Sequence, residues 1–321
     1  MTKREQFIRA LKREPMTGLV PHFELVFFLT METLGKVHPS HRYYEQWNQM
    51  SAHEKRLQME DMADCYIAIA ERYGHSAIFI HPNPGDLENT LWLLEIIRER
   101  TGDAYYLMMH GDPTHSIPDG DSVMDFSVRM YEEPEALNAI SQKRLEDMTS
   151  FAEALDKRGH LLDGFTMCSD YCFNTNPFFT EDMFDELIMP YLSQSIKNYH
   201  DMGYYVIKHT DGNIMPIIDQ MIEAGPDALH SLDPQGGVDL GAVKRKYGDR
   251  VTLVGNVNCG LLQTGTEEEC IADVRRSLRD GMQGGTGYIF STSNCVYTGL
   301  PLERYELMNR IWREEGFWPE G

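Results

Sequence analysis

The stretch Val206-Ile207-Lys208-His209-Thr210-Asp211-Gly212-Asn213 runs from an apolar segment into two residues able to do chemistry. His209 and Asp211 are two apart, so on an extended strand both side chains leave from the same side. An imidazole and a carboxylate so placed can ligate a metal ion, exchange a proton, or form a plain hydrogen-bonded pair that orients a loop. Gly212 permits the turn that follows, and Asn213 has the residue type of a helix cap.

Other reactive residue types stand at comparable points, where apolar runs stop. They are Glu24, His81, His110 with Asp112, Cys168 with Asp170 and Cys172, His230 with Asp233, Asn256 with Cys259, and Asn294 with Cys295. Each has a structural alternative. A lone carboxylate such as Glu24 can be satisfied by backbone amides, and a lone thiol such as Cys295 is often simply buried. The spacing of Cys168 and Cys172 suits neither one strand face nor a zinc knuckle, which points to packing. Cys259 remains a spare ligand candidate.

The elements that must position these groups follow from the pattern of apolar runs. Strand-like runs lie at 20–28, 76–81, 105–110, 161–167, 204–209, 227–232, 251–257 and 287–292, each followed by helical sequence. They are mostly apolar rather than alternating, as expected of parallel strands buried on both faces. Thr2/Glu5, Ser51/Glu54 and Thr266/Glu269 have capping-box spacing. The helical stretches ENTLWLLEIIRERTG and PLERYELMNRIWREEG end at glycine. An opening helix followed by repeated β–helix units predicts one domain over 1–321, a (β/α)8 TIM barrel with an extra N-terminal helix. Chemistry in such a barrel gathers at the C-terminal strand ends, where the residues above fall. Long connections at 29–50 and 111–130 have the length of functional loops.

The chain of 321 residues carries a formal net charge of −21, which argues against nucleic acid and anionic membranes as partners. Its six cysteines contain no CxxC pair, so they read as free thiols of a cytoplasmic protein. No apolar run approaches the roughly 20 residues of a membrane span, and the N-terminal sequence has no signal-peptide core.

The sequence resembles the uroporphyrinogen decarboxylase superfamily nearly end to end. The similarity is carried by MTKREQFIRALKREPMTGLVPHFE, FFTEDMFDELIMPYLSQSIKNYHDMGYYVIKHTDGN, ALHSLDPQGGVDLGAVKRKYGDRVTLVGNVNCGLLQTGTEEEC and GGTGYIFSTSNCVYTGLPLERYELM. Its fold is the barrel expected above. True decarboxylases of the family carry an arginine-rich signature after the first strand, where this chain reads ELVFFLTMETLGK. A polycarboxylate tetrapyrrole would find no cation there.

Corrinoid-dependent methyltransferases of the superfamily bind zinc through His-x-Cys after the fifth strand and a cysteine after the eighth. This chain has His209, Asp211 and Cys295 at those places, and aspartate is an acceptable if harder zinc ligand. The resemblance therefore implies a zinc-dependent methyltransferase that works with a corrinoid carrier protein. Zn²⁺ would be held by His209 and Cys295, with Asp211 or Glu24 as third ligand. Asp170 and Asp211 would serve catalysis; Glu24, His110, Tyr171, Asn256 and Asn294 would contact a methoxylated compound or thiol. The long loops would frame a docking surface or a homodimer contact. Alternatives are a decarboxylase of a tetrapyrrole or smaller acid, and a non-enzymatic accessory barrel that binds a corrinoid or tetrapyrrole.

Overall fold

The computed structural model describes residues 1–319. Seven parallel strands form one sheet in chain order: β1 Ala77–Ile80, β2 Tyr106–His110, β3 Gly164–Met167, β4 Tyr205–Thr210, β5 Ala228–Ser231, β6 Thr252–Val254 and β7 Tyr288–Ile289. Helices follow the strands and cover the outside, among them Ala52–Tyr73, Leu87–Thr101, Pro134–Asp156, Met189–Asp201 and Leu302–Glu315. The strands are buried on both faces, which is why their sequences are apolar without alternation.

The expected first strand is not regular. Segment 20–28 makes single parallel bridges, His22 with Phe290 and Phe27 with Val296. The Phe290 amide donates to the Pro21 carbonyl at 2.8 Å, and the Ser76 amide donates to the His22 carbonyl at 2.6 Å. The segment therefore fills the gap between β7 and β1 and closes the barrel. Pro21 has no N–H to give a ladder, so a continuous strand cannot form through it.

The N-terminal helix Lys3–Leu11 lies across the N-terminal ends of the strands. Its Phe7 ring packs against Phe23 and Tyr106, and Thr252 Oγ1 donates to the Ala10 carbonyl at 2.7 Å. Gly164 lies beneath Tyr106, where an added Cβ would sit 2.1 Å from the tyrosine oxygen, so only glycine fits.

Local signals hold in part. Thr2/Glu5 and Thr266/Glu269 close reciprocal capping boxes, whereas Ser51 caps the Glu54 amide alone. Asn213 does not cap the helix that follows; its Oδ1 accepts from the Met215 amide in a turn, and the helix begins at Ile218. Loop 29–50 contains the short helix Thr30–Leu34, and 111–130 becomes helical from Val123. Among the described residues no helix is long and apolar enough to cross a membrane.

Candidate metal centre at the barrel mouth

The side chains of β4 divide by parity. Its register pairs His209 with His230 of β5 and Ile207 with Thr166 of β3, and these residues face the barrel interior. Lys208, between them, faces outward. Its ammonium is fully buried and donates to Asp112 Oδ2 and to the Ser169 carbonyl, both at 2.8 Å, over the face of Tyr171. That charge is fully used.

On the inner face, β3 and β4 deliver three groups to one place. Asp170, His209 and Asp211 each offer a ligand atom, and these atoms all lie within 4.8 Å of one another. His209 Nε2 stands 3.7 Å from Asp170 Oδ1 and 3.8 Å from Asp211 Oδ1. The Asp211 amide donates to Asp170 Oδ1 at 3.3 Å, tying the loop after β3 to the end of β4. Asn294 Nδ2 donates to Asp211 Oδ2. Gly212, at φ 78°, lets the chain turn beneath the Phe173 carbonyl, which an added Cβ would meet at 2.6 Å.

Asp211 Oδ1 is buried and has no hydrogen-bond partner. Burial pushes the Asp211 carboxyl up to about 6; His209 opposes that rise and Asp170 adds to it. An unpaired carboxylate oxygen in a dry place is costly unless a cation stands beside it. Tetrahedral ligands about 2.0–2.1 Å from zinc are roughly 3.4 Å apart; here His209 Nε2 is 3.7 and 3.8 Å from the two carboxylates, and the whole set lies within 4.8 Å. The donor set fits a divalent ion with nitrogen and oxygen ligands.

The other expected site residues divide. Cys295 is half-buried near the same rim, and its amide donates to Asn294 Oδ1 at 2.6 Å. Burial, reinforced by Asp211, pushes its thiol up to about 11. Its sulfur does not belong to the set of mutually close ligand atoms. Glu24 is buried near the end of the last strand, where Oε2 accepts from the Thr292 amide and hydroxyl and from Ser291 Oγ. Its Oε1 has no partner, and burial pushes the carboxyl up to about 8. A cavity of about 30 Å³ lined by Glu24, Thr30 and His75 has room for water.

His110 ends β2 on the inner face, exposed to solvent although surrounding protein still pushes its imidazole below the ordinary value. It therefore lines a recess rather than an outer surface. Tyr171 and Asn256 are not brought to the recess. The Tyr171 hydroxyl bonds Thr114 Oγ1 at 2.7 Å beneath Lys208. Asn256 is spent on the Leu232 carbonyl and Arg276.

Two contributions were not read from the sequence. Asp170 was expected in catalysis, not among possible ligands. His230 was noted only as a strand-end residue, although its Nδ1 is 2.7 Å from His209 Nδ1. The signal for His230 is its level with His209 on the adjacent strand, which requires the register.

Solved structures share this architecture. A methyltransferase from Methanosarcina mazei superposes with a TM-score of 0.72 at 19% identity, covering 98% of this chain and 99% of that one. A putative vitamin-B12 independent methionine synthase from Listeria monocytogenes superposes with a TM-score of 0.52 at 12% identity, covering 93% and 98%. No curated protein matches the sequence. The family described as uroporphyrinogen decarboxylase (URO-D) matches residues 116–314, a span that includes Asp170, His209, Asp211 and Cys295. The chain belongs to the uroporphyrinogen decarboxylase family.

Proposed function

We propose that this protein is a zinc-dependent methyltransferase that moves a methyl group between a small substrate and a corrinoid on a carrier protein. The observation that carries the reading is the meeting of His209 with two carboxylates, one of them holding a buried, unpartnered oxygen. Asp170, His209 and Asp211 would hold the ion, and the half-buried Cys295 thiol is the candidate for a further position. A bound zinc ion supplies Lewis acidity that stabilises a thiolate or a departing alkoxide.

The remaining roles belong to the chain's own groups. Asn294 holds Asp211 in place. Asp170 is the more exposed carboxylate, 44% against 23% for Asp211, so it would be the ligand on the side from which substrate approaches. His110 lines the approach. Large exposed apolar side chains occur on segments that follow strand ends, including Met31, Tyr43, Met124, Val128, Tyr131 and Phe173. Those segments would be the ones to meet a carrier protein.

The decarboxylase alternative is weakened by the sealing of Lys208 in its ion pair, which leaves that cation unavailable to a polycarboxylate. The test is metal content by plasma mass spectrometry on the wild type and on His209→Ala, Asp211→Ala and Cys295→Ala. Near-stoichiometric zinc, lost on replacing His209 or Asp211, is the expected result. A wild type that takes up no zinc even when supplied with it ends this reading.

A further inference from the structure

The His209 ring makes one hydrogen bond through Nδ1, to Nδ1 of His230 at 2.7 Å. Two ring nitrogens that close must share one proton, and the surroundings decide whose it is. His230 Nε2 lies 3.3 Å from the Thr292 carbonyl, which only accepts. Its other neighbour, Ser291 Oγ at 3.4 Å, directs its own hydrogen to Glu24 Oε2 at 3.2 Å. The Thr292 contact requires a hydrogen on His230 Nε2, and the Ser291 contact accommodates it.

His230 is 1% exposed and has no carboxylate on its ring nitrogens, so a charged form would be an uncompensated ion in the barrel interior. A neutral imidazole carries one N–H. With that hydrogen on Nε2, His230 Nδ1 is a lone pair, and the proton in the 2.7 Å contact belongs to His209 Nδ1. The lone pair of a neutral His209 is then on Nε2, the nitrogen that faces Asp170 and Asp211.

We infer that His230 is a positioning residue: anchored by the Thr292 carbonyl, it fixes the tautomer and orientation of His209 so that Nε2 is presented to the Asp170–Asp211 pair. The consequence for metal affinity rests on the proposed function; the tautomer itself does not. A ring that merely packs in the core would leave both unaffected when replaced by one of similar volume. Glutamine at 230 can reproduce both bonds, accepting from His209 Nδ1 and donating to the Thr292 carbonyl, whereas phenylalanine can do neither.

The test uses the full chain with ¹⁵N-labelled histidine, metal-free, at a mildly alkaline pH where imidazole is neutral. Two-dimensional NMR of the ring nitrogens is expected to show His209 with hydrogen on Nδ1 in the wild type and in His230→Gln, and a mixture of tautomers in His230→Phe. Hydrogen on His209 Nε2 in the wild type, or an unchanged tautomer in His230→Phe, overturns the inference whatever the metal result. Zinc titration then separates the two claims. A 10–100-fold weaker affinity in His230→Phe, partly restored in His230→Gln, supports both. A wild type with the stated tautomer and no zinc binding removes the proposed function while the tautomer assignment stands. Equal zinc affinity in all three proteins overturns the positioning role. Thermal unfolding of each variant identifies any that fails to fold, and His230→Gln keeps the test open if His230→Phe does so.

Discussion

Lys208 and His209 are consecutive residues of β4, yet they end in opposite circumstances. Lys208 turns outward into a complete set of partners: a carboxylate, a backbone carbonyl and an aromatic face. His209 turns inward toward two carboxylates that it does not reach within hydrogen-bond distance. Both are buried and both involve aspartates at strand ends. The difference is completeness. On the outer side every polar group is paired and the charges hold the loops after β2 and β3; on the inner side one buried carboxylate oxygen is left over.

Breaking the completed side is expected to have the largest effect. Lys208→Met leaves Asp112 as a buried anion and should cost about 3–5 kcal/mol in urea unfolding, with part of the loss recovered by adding Asp112→Asn. Recovery of nothing would mean that Asp112 matters mainly through its bonds to Thr114 and Ser169.

Glu24→Gln should act in the opposite direction, because the Glu24 carboxyl rises from an ordinary 4.5 to about 8. A raised folded value means that the native state holds a proton the unfolded state has released. That contribution is fully present below about 4.5 and is lost as pH rises through 8. Glutamine removes the slope, and stability at pH 7 should increase by about 2 kcal/mol.

Asp211→Asn gives a smaller effect of the same sign. The contribution of its carboxyl is present below about 3.8 and lost through about 6. Metal-free Asp211→Asn should therefore gain about 1–2 kcal/mol at pH 7, discounted for partial solvent access, while losing zinc. A variant both less stable and still zinc-replete would erase the contrast between the two sides of β4. Lys197→Ala supplies the baseline: its exposed pair with Asp201 should be worth less than about 0.5 kcal/mol.

The barrel was legible because its strands are apolar runs separated by capped, glycine-terminated helices. Closure was not: Pro21 is visible in the run at 20–28, but the pairing of His22 with Phe290 and of Phe27 with Val296 is not. In the site, His209 and Asp211 could be read from a spacing of two on one strand. Asp170 could not be placed with them without the register that sets Met167 beside Lys208. The same holds for His230, for the outward pairing of Lys208, and for Asn256, whose type suggested substrate binding although its bonds are spent on the barrel wall.

The helix laid across the floor of the barrel governs traffic as well as packing. With Phe7 packed against Tyr106 and Phe23, the lower end of the barrel is filled, and the strand-end groups are reached from the opposite rim. A ligand that meets Asp170, His209 or Asp211 therefore arrives and leaves at the rim that carries them.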